Sequence, residues 1–174
     1  MIAPVSSLLF ATDLSDECKP ALAEAVAVAA QYQANLVLLH VIDKDIPTQI
    51  EEHFEGMLGK EKWEALKQEH EQDARQALIG KMSPGKIGQK VLSKYCEDAG
   101  IDAESCSFTW KEVVVADRNI DRAIISEAQR YNCEIIILGS GRSFLGGNAL
   151  GSTIKGVLRK SHIPVLVVPA MGEE

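Results

Sequence analysis

The sequence predicts a doubly wound α/β fold, an open parallel sheet of five strands with helices on both faces. Apolar runs of strand length recur at Ser6–Ala11, Leu36–Ile42, Ile135–Leu138 and Pro164–Pro169, without the polar alternation of a sheet wet on one face. Strands covered on both faces read this way. Helical patterns fall between these runs, and strands alternating with helices build parallel sheets through right-handed crossovers. The chain has 174 residues, 46% of them apolar and 25% charged, which fits one domain over 1–174 with its own core.

The first strand ends in Thr12-Asp-Leu-Ser15, turn and capping residues followed by Asp16 and Glu17, where a helix start favours negative charge. The alanine-rich stretch Pro20–Gln33 reads as a helix with Leu22, Val26 and Ala29 or Ala30 on one face. After the second strand, the segment from Asp43 to Ser105 is polar and charged, with helical patterns around Phe54, Trp63, Leu66 and Leu78. It is too thin in apolar residues for a second core, so a long helical crossover is expected over about 43–105. Ser83-Pro84 marks a stop and a new first turn, leading into a helix through Val91, Leu92 and Tyr95. Phe108 to Val115 alternates before turning apolar, as at a sheet edge. Asn119–Tyr131 is helical, with Ile120, Ala123, Ile124 and Ala128 aligned. Glycine-rich Gly139–Gly151 follows the fourth strand, then a helix over Ser152–Lys160 and the last strand.

The formal net charge of −7 argues against nucleic acid or an anionic membrane as partner. No apolar run approaches the roughly 18 residues of a membrane span, and Met1–Ala11 lacks the basic start of a signal peptide. The four cysteines, Cys18, Cys96, Cys106 and Cys133, form no C-x-x-C pair, so no metal site is expected. Reduced thiols in a cytoplasmic protein are the simplest reading. Cys18 stands out because a helix start can lower a thiol pKa.

The glycine-rich segment carries the chemistry. Backbone N–H groups of such a loop and of the following helix start make an anion site. Ser143, Ser152 and Thr153 add hydroxyls, and Arg142 a forked cation. Phosphate is the natural guest. The segment is not a Walker loop, since Ser152 stands where that motif has lysine, and Gly139-x-Gly141-x-x-Phe144 lacks the third glycine of a dinucleotide fingerprint.

The spacing resembles that of the universal stress proteins that bind ATP. These carry Gly, two residues, Gly, nine residues, then Gly-Ser or Gly-Thr before the final helix. Here nine residues separate Gly141 from Gly151-Ser152, while Ser140 alone separates Gly139 from Gly141. Phe10-Ala-Thr-Asp-Leu-Ser15 is similar to the family's opening Pro-Thr-Asp-x-Ser, with Ala11 in place of proline. Leu36–Val41, Ala123–Gly139 and Ile163–Val168 resemble its second strand, fourth helix and strand, and ending. Arg118-Asn119-Ile120 departs from the family's Gly-x-Pro, and the 43–105 stretch is longer than usual for it.

The resemblance implies the strand order 3-2-1-4-5, with a ligand crevice outside the carboxyl ends of strands one and four. It further implies a nucleotide site of Ala11 at the end of strand one and Asp13 after it, Val41 after strand two, Leu138 at the end of strand four and Gly139 after it, then Gly141, Arg142, Gly151, Ser152 and Thr153. Asp13 would take an adenine amino group or ribose hydroxyl, Val41 main-chain groups the base edge, and the glycine loop the phosphates. The cofactor expected is ATP, with Mg2+ on its phosphates. The residues themselves also allow Asp13 as a plain turn or cap residue. His40 reads as a satisfied core histidine, and Trp63 and Trp110 as packing residues.

No nucleophile elbow, H-E-x-x-H or Cys–His pair marks a catalytic centre, so no catalytic residue is assigned. The function expected is a nucleotide-binding regulatory protein of the stress response. One alternative is a family member without nucleotide that acts as a dimeric interaction module; a slow ATPase or nucleotidyl-transfer enzyme is a further one, resting on fold analogy. A homodimer is expected through the last strand, because Val165, Leu166, Val167 and Val168 carry no charge to blunt a sheet edge.

Overall fold

The computed structural model describes residues 4–43, 52, 55, 56, 58–65, 84–141 and 150–170. The strands are β1 (Ser7–Ala11), β2 (Asn35–Asp43), β3 (Trp110–Asp117), β4 (Ile135–Ser140) and β5 (Val165–Pro169). They form one parallel sheet in the order β3-β2-β1-β4-β5, the order expected. The helices are α1 (Lys19–Tyr32), α2 (Pro84–Asp98), α3 (Ile120–Arg130) and α4 (Ser152–Lys160). A 3-10 turn over Asp16–Cys18 precedes α1. Of the crossover expected over about 43–105, the described residues include helical backbone at 60–65, α2 and a 3-10 turn at Ala103–Ser105.

Strand alternation sends side chains to two cores. Leu8, Phe10, Leu36, Leu38 and Ile137 face α1 and α2, together with Trp63, Val91, Leu92 and Tyr95. Leu9, Val37, Leu39, Ile136 and Leu138 face α3 and α4, against Ile124, Ala128, Ile154 and Val157. Both faces of β1 and β2 are therefore buried, which is why their sequences lose polar alternation. α1 buries Ala21, Leu22, Ala25 and Ala29, and the small alanines let it lie close on the sheet. It stops at Gln33, whose left-handed φ of 52° turns the chain while its N–H reaches the carbonyls of Ala29 and Ala30.

α3 and α4 pack just as closely. A Cβ placed on Gly156 would lie 1.9 Å from Asp121 Oδ2 and 2.9 Å from Asp121 Cβ, so only glycine fits there. Lys160 Nζ then donates to Asp121 Oδ2 at 2.7 Å.

Strand lengths position the site. β1 stops at Ala11, opposite Leu39 of β2 and Leu138 of β4. β2 runs on to Asp43 and β4 to Ser140. The middle of the sheet's carboxyl edge is thus a notch, floored by the end of β1 and walled by its longer neighbours. At the amino edge, Glu134 pins β1 instead, accepting from the backbone N–H groups of Ser6 and Ser7.

Candidate functional site

The β1 side of the notch is the turn Thr12–Ser15, and it is tied throughout. Thr12 N–H donates to the Leu39 carbonyl at 2.9 Å, and buried His40 donates from Nδ1 to the Thr12 carbonyl at 2.9 Å. Leu14 N–H donates to Thr12 Oγ1, and Ser15 N–H to Asp13 Oδ1, each at 2.9 Å. The Ser15 carbonyl accepts both Cys18 N–H at 3.1 Å and the Tyr95 hydroxyl at 2.9 Å. Leu14 holds φ at 65°, a left-handed conformation costing a side-chain-bearing residue about 1–2 kcal/mol. Its side chain, 5% exposed in the core, offsets that cost.

Asp13 itself is exposed at the rim. Burial raises its pKa, but hydrogen bonds from the Ser15 side chain and backbone and from Cys18 outweigh that and hold the carboxyl below its ordinary value. It therefore stands as a carboxylate. Oδ1 accepts from the Ser15 N–H, so the turn role allowed by the sequence is real.

On the β4 side, Gly139 and Ser140 belong to the strand. A Cβ on Gly139 would come within 3.1 Å of both Cys18 Sγ and Ala21 Cβ, so this glycine admits the start of α1. A Cβ on Gly141 would lie 3.0 Å from Glu17 Oε2. Gly151 is different: no described atom lies within 4 Å of where its Cβ would stand. It is the N-cap of α4, and among the described residues no side chain caps this helix start, whose first-turn N–H groups at Ser152 and Thr153 call for an acceptor. Ser140, 2% exposed, carries a buried hydroxyl with no hydrogen-bond partner among the described residues. It shares its strand face with Leu138, the face that packs on α4. Arg142 lies outside the described residues.

Ala11, Asp13, Leu138 and Gly139 thus meet at the notch. Val41 lies within β2 and not beyond its end. The Leu39 carbonyl points toward β1, and backbone groups two residues on face the same side. Val41 therefore turns its main chain toward the place where β1 has already ended.

Sequence reasoning missed Tyr95 and Ser140; only Ser140, between the two glycines, lay next to a recognisable signal. The expectation for Cys18 is corrected. Burial, with the Asp13 carboxylate beside it, pushes the thiol up to about 11, the reverse of activation. Trp63 is a core residue at 4% exposure, and Trp110 packs on the same core. A cavity of about 510 Å3 between α2 and β3 is lined by Ser93, Cys96, Glu97, Ile101, Asp102 and Glu112 among others. Its carboxylates make it a poor place for phosphate. Among the described residues there is no group of three or more His, Cys, Asp or Glu side chains placed to hold a metal, and no helix long and apolar enough to cross a membrane.

The model of the universal stress protein family matches residues 5–169. The chain belongs to that family. It is 29% identical to universal stress protein MJ0577 of Methanocaldococcus jannaschii over 163 residues, covering 92% of this chain and 93% of the other. The solved structure of MJ0577 superposes with a TM-score of 0.57 at 26% identity, over 98% of this chain and all of that one (100%). A universal stress protein solved in complex with cAMP gives a TM-score of 0.58 at 19% identity, over 97% and 100% of the two chains. The Archaeoglobus fulgidus protein, in complex with dAMP, gives 0.56 at 15% identity, over 95% and 98%. At those identities the last two likenesses speak to the universal stress protein fold alone.

Proposed function

We propose that this universal stress protein holds an adenine nucleotide, with ATP and Mg2+ on its phosphates as the preferred ligand, and serves as a regulatory binding protein in the stress response. The observation that supports this best is the start of α4 at Gly151, which has no side-chain cap among the described residues and follows the strand that borders β1 at the notch. Phosphate suits that helix start. The Ser140 hydroxyl at the end of β4 and the space at Gly151, both without a neighbour to meet them among the described residues, fit such a guest. In this reading Ser152, Thr153, Gly141 and Arg142 surround the phosphates, and Ala11, Val41, Leu138 and Gly139 border the base and ribose. Asp13 accepts from a ribose hydroxyl or the adenine amino group. The fold carries adenine nucleotides in two solved members, which adds to the proposal. Four unpaired cysteines agree with a cytoplasmic setting.

Calorimetric titration of ATP with Mg2+ into nucleotide-free protein tests the reading. Saturable binding, lost in Gly151→Val and weakened in Asp13→Ala, is expected; no binding to folded, empty protein overturns it. Turnover is expected to be very slow or nil, because the residues assigned to the site hold one carboxylate, Asp13, and its Oδ1 is already committed to the Ser15 N–H. A steady-state assay giving many turnovers per second, abolished by Asp13→Asn, would refute that.

One observation favours a second reading, an interaction module without nucleotide. Glu17 Oε2 lies 3.0 Å from where a Cβ on Gly141 would stand, and like charge there opposes phosphate. We further propose a homodimer through β5. Leu166 is 41% exposed on this outer strand, and Val165 to Val168 offer an uncharged edge for pairing with a twofold mate. Light scattering should give twice the chain mass; a monomer mass at high concentration refutes this interface.

A further inference from the structure

α2 ends the crossover and lies far in sequence from either glycine segment, yet one atom of it reaches the notch. Tyr95 is 3% exposed, packed among Val91, Leu92 and Cys96 in the core. Its hydroxyl donates to the Ser15 carbonyl at 2.9 Å. Ser15 is the residue whose N–H holds Asp13 Oδ1, also at 2.9 Å. One peptide unit away from each other, the two bonds join the core to the carboxylate. Leu14, between Asp13 and Ser15, is left-handed, so this turn reverts to a commoner shape unless its ends are held.

We infer that Tyr95 is a positioning residue of the nucleotide site: through Ser15 it fixes the turn that presents Asp13. The inference rests on the nucleotide reading above, and it gives α2 of the long crossover a task. Tyr95 touches no ligand in this account. It supplies a rigid anchor, because a ring buried on a helix moves less than the rim of a sheet.

The test is Tyr95→Phe, which removes one oxygen and keeps the packing. Hydrogen–deuterium exchange of the ligand-free protein should quicken over residues 12–18 while β4 stays as protected as before. ATP–Mg2+ affinity should fall about 3- to 10-fold, the effect of one hydrogen bond, with the loss smaller in an Asp13→Asn background. Thr12→Val, which loosens the same turn from β1, should reproduce the pattern if Tyr95→Phe folds poorly. Unchanged exchange over 12–18 overturns the assignment whether or not ATP binds. Faster exchange with wild-type affinity also overturns it, making Tyr95 a packing residue. A wild type that binds no ATP instead defeats the nucleotide reading, and the positioning role with it.

Discussion

On the β1 side of the notch, the chain from Thr12 to Ser15 is bonded at nearly every turn, to β2, to α2 and to its own side chains. On the β4 side, Gly139, Ser140, Gly141, Gly151, Ser152 and Thr153 are glycines or short hydroxyl residues, and among the described residues the helix start has no side-chain cap and the Ser140 hydroxyl no partner. The first arm spends its hydrogen bonds on holding one carboxylate in place. The second leaves some of its polar groups without a partner among the described residues. In the nucleotide reading proposed above, the fixed acceptor recognises the ligand and the open donors grip it.

The glycines of the β4 arm give the largest way to break this contrast, since they look alike in sequence and differ in space. Gly151→Val is expected to weaken ATP binding by about 100-fold or more in calorimetry, while stability moves by no more than about 0.5 kcal/mol, since its Cβ meets no described atom. Gly139→Val should do the opposite first. Overpacking against Cys18 and Ala21 should cost about 1–3 kcal/mol, read as a melting temperature roughly 2–10 °C lower. If Gly151→Val destabilised more than Gly139→Val, the division between a packing glycine and a ligand glycine would be wrong.

On the tied arm, Asp13→Ala should reduce ATP affinity by about 10-fold, the scale of a hydrogen bond to a charged group. The smallest effect is on acid stability. Hydrogen bonds from Ser15 and Cys18 hold the folded pKa of Asp13 below the ordinary value of an aspartate. Its contribution is therefore complete above that value and lost as pH falls through the folded pKa. Melting curves of Asp13→Asn and the parent should converge as pH drops below about 4, and a gap that widened there would contradict the hydrogen bonds drawn around this carboxylate.

Much of the fold was legible because burial on both faces writes itself into composition. Leu36–Ile42 is apolar throughout since β2 is sandwiched between helices, and Trp110-Lys-Glu-Val alternates since β3 is an edge. Asp13 was legible as a turn residue, whereas Gly139, expected after the fourth strand, lies within β4, and the glycine-rich stretch 142–149 lies outside the described residues. The long-range contacts of these segments were not legible. Gly139 packs against Cys18 more than a hundred positions away, and Tyr95 meets Ser15 across 80 residues; no local pattern encodes such contacts. Cys18 misled because position at a helix start was visible in the sequence while depth of burial was not. Leu14 gave no warning either, as leucine is an unusual choice for a left-handed residue.

The short β1 has a consequence for descent. A recess made by one strand stopping early is specified by strand lengths and register, and much of its wall is main chain that every amino acid supplies. Nearly all the surrounding side chains can then drift while the recess persists, provided the drift inserts nothing at the end of β1. Two chains sharing few identities can inherit the same binding place through geometry, with their individual residues left to adjust what it prefers.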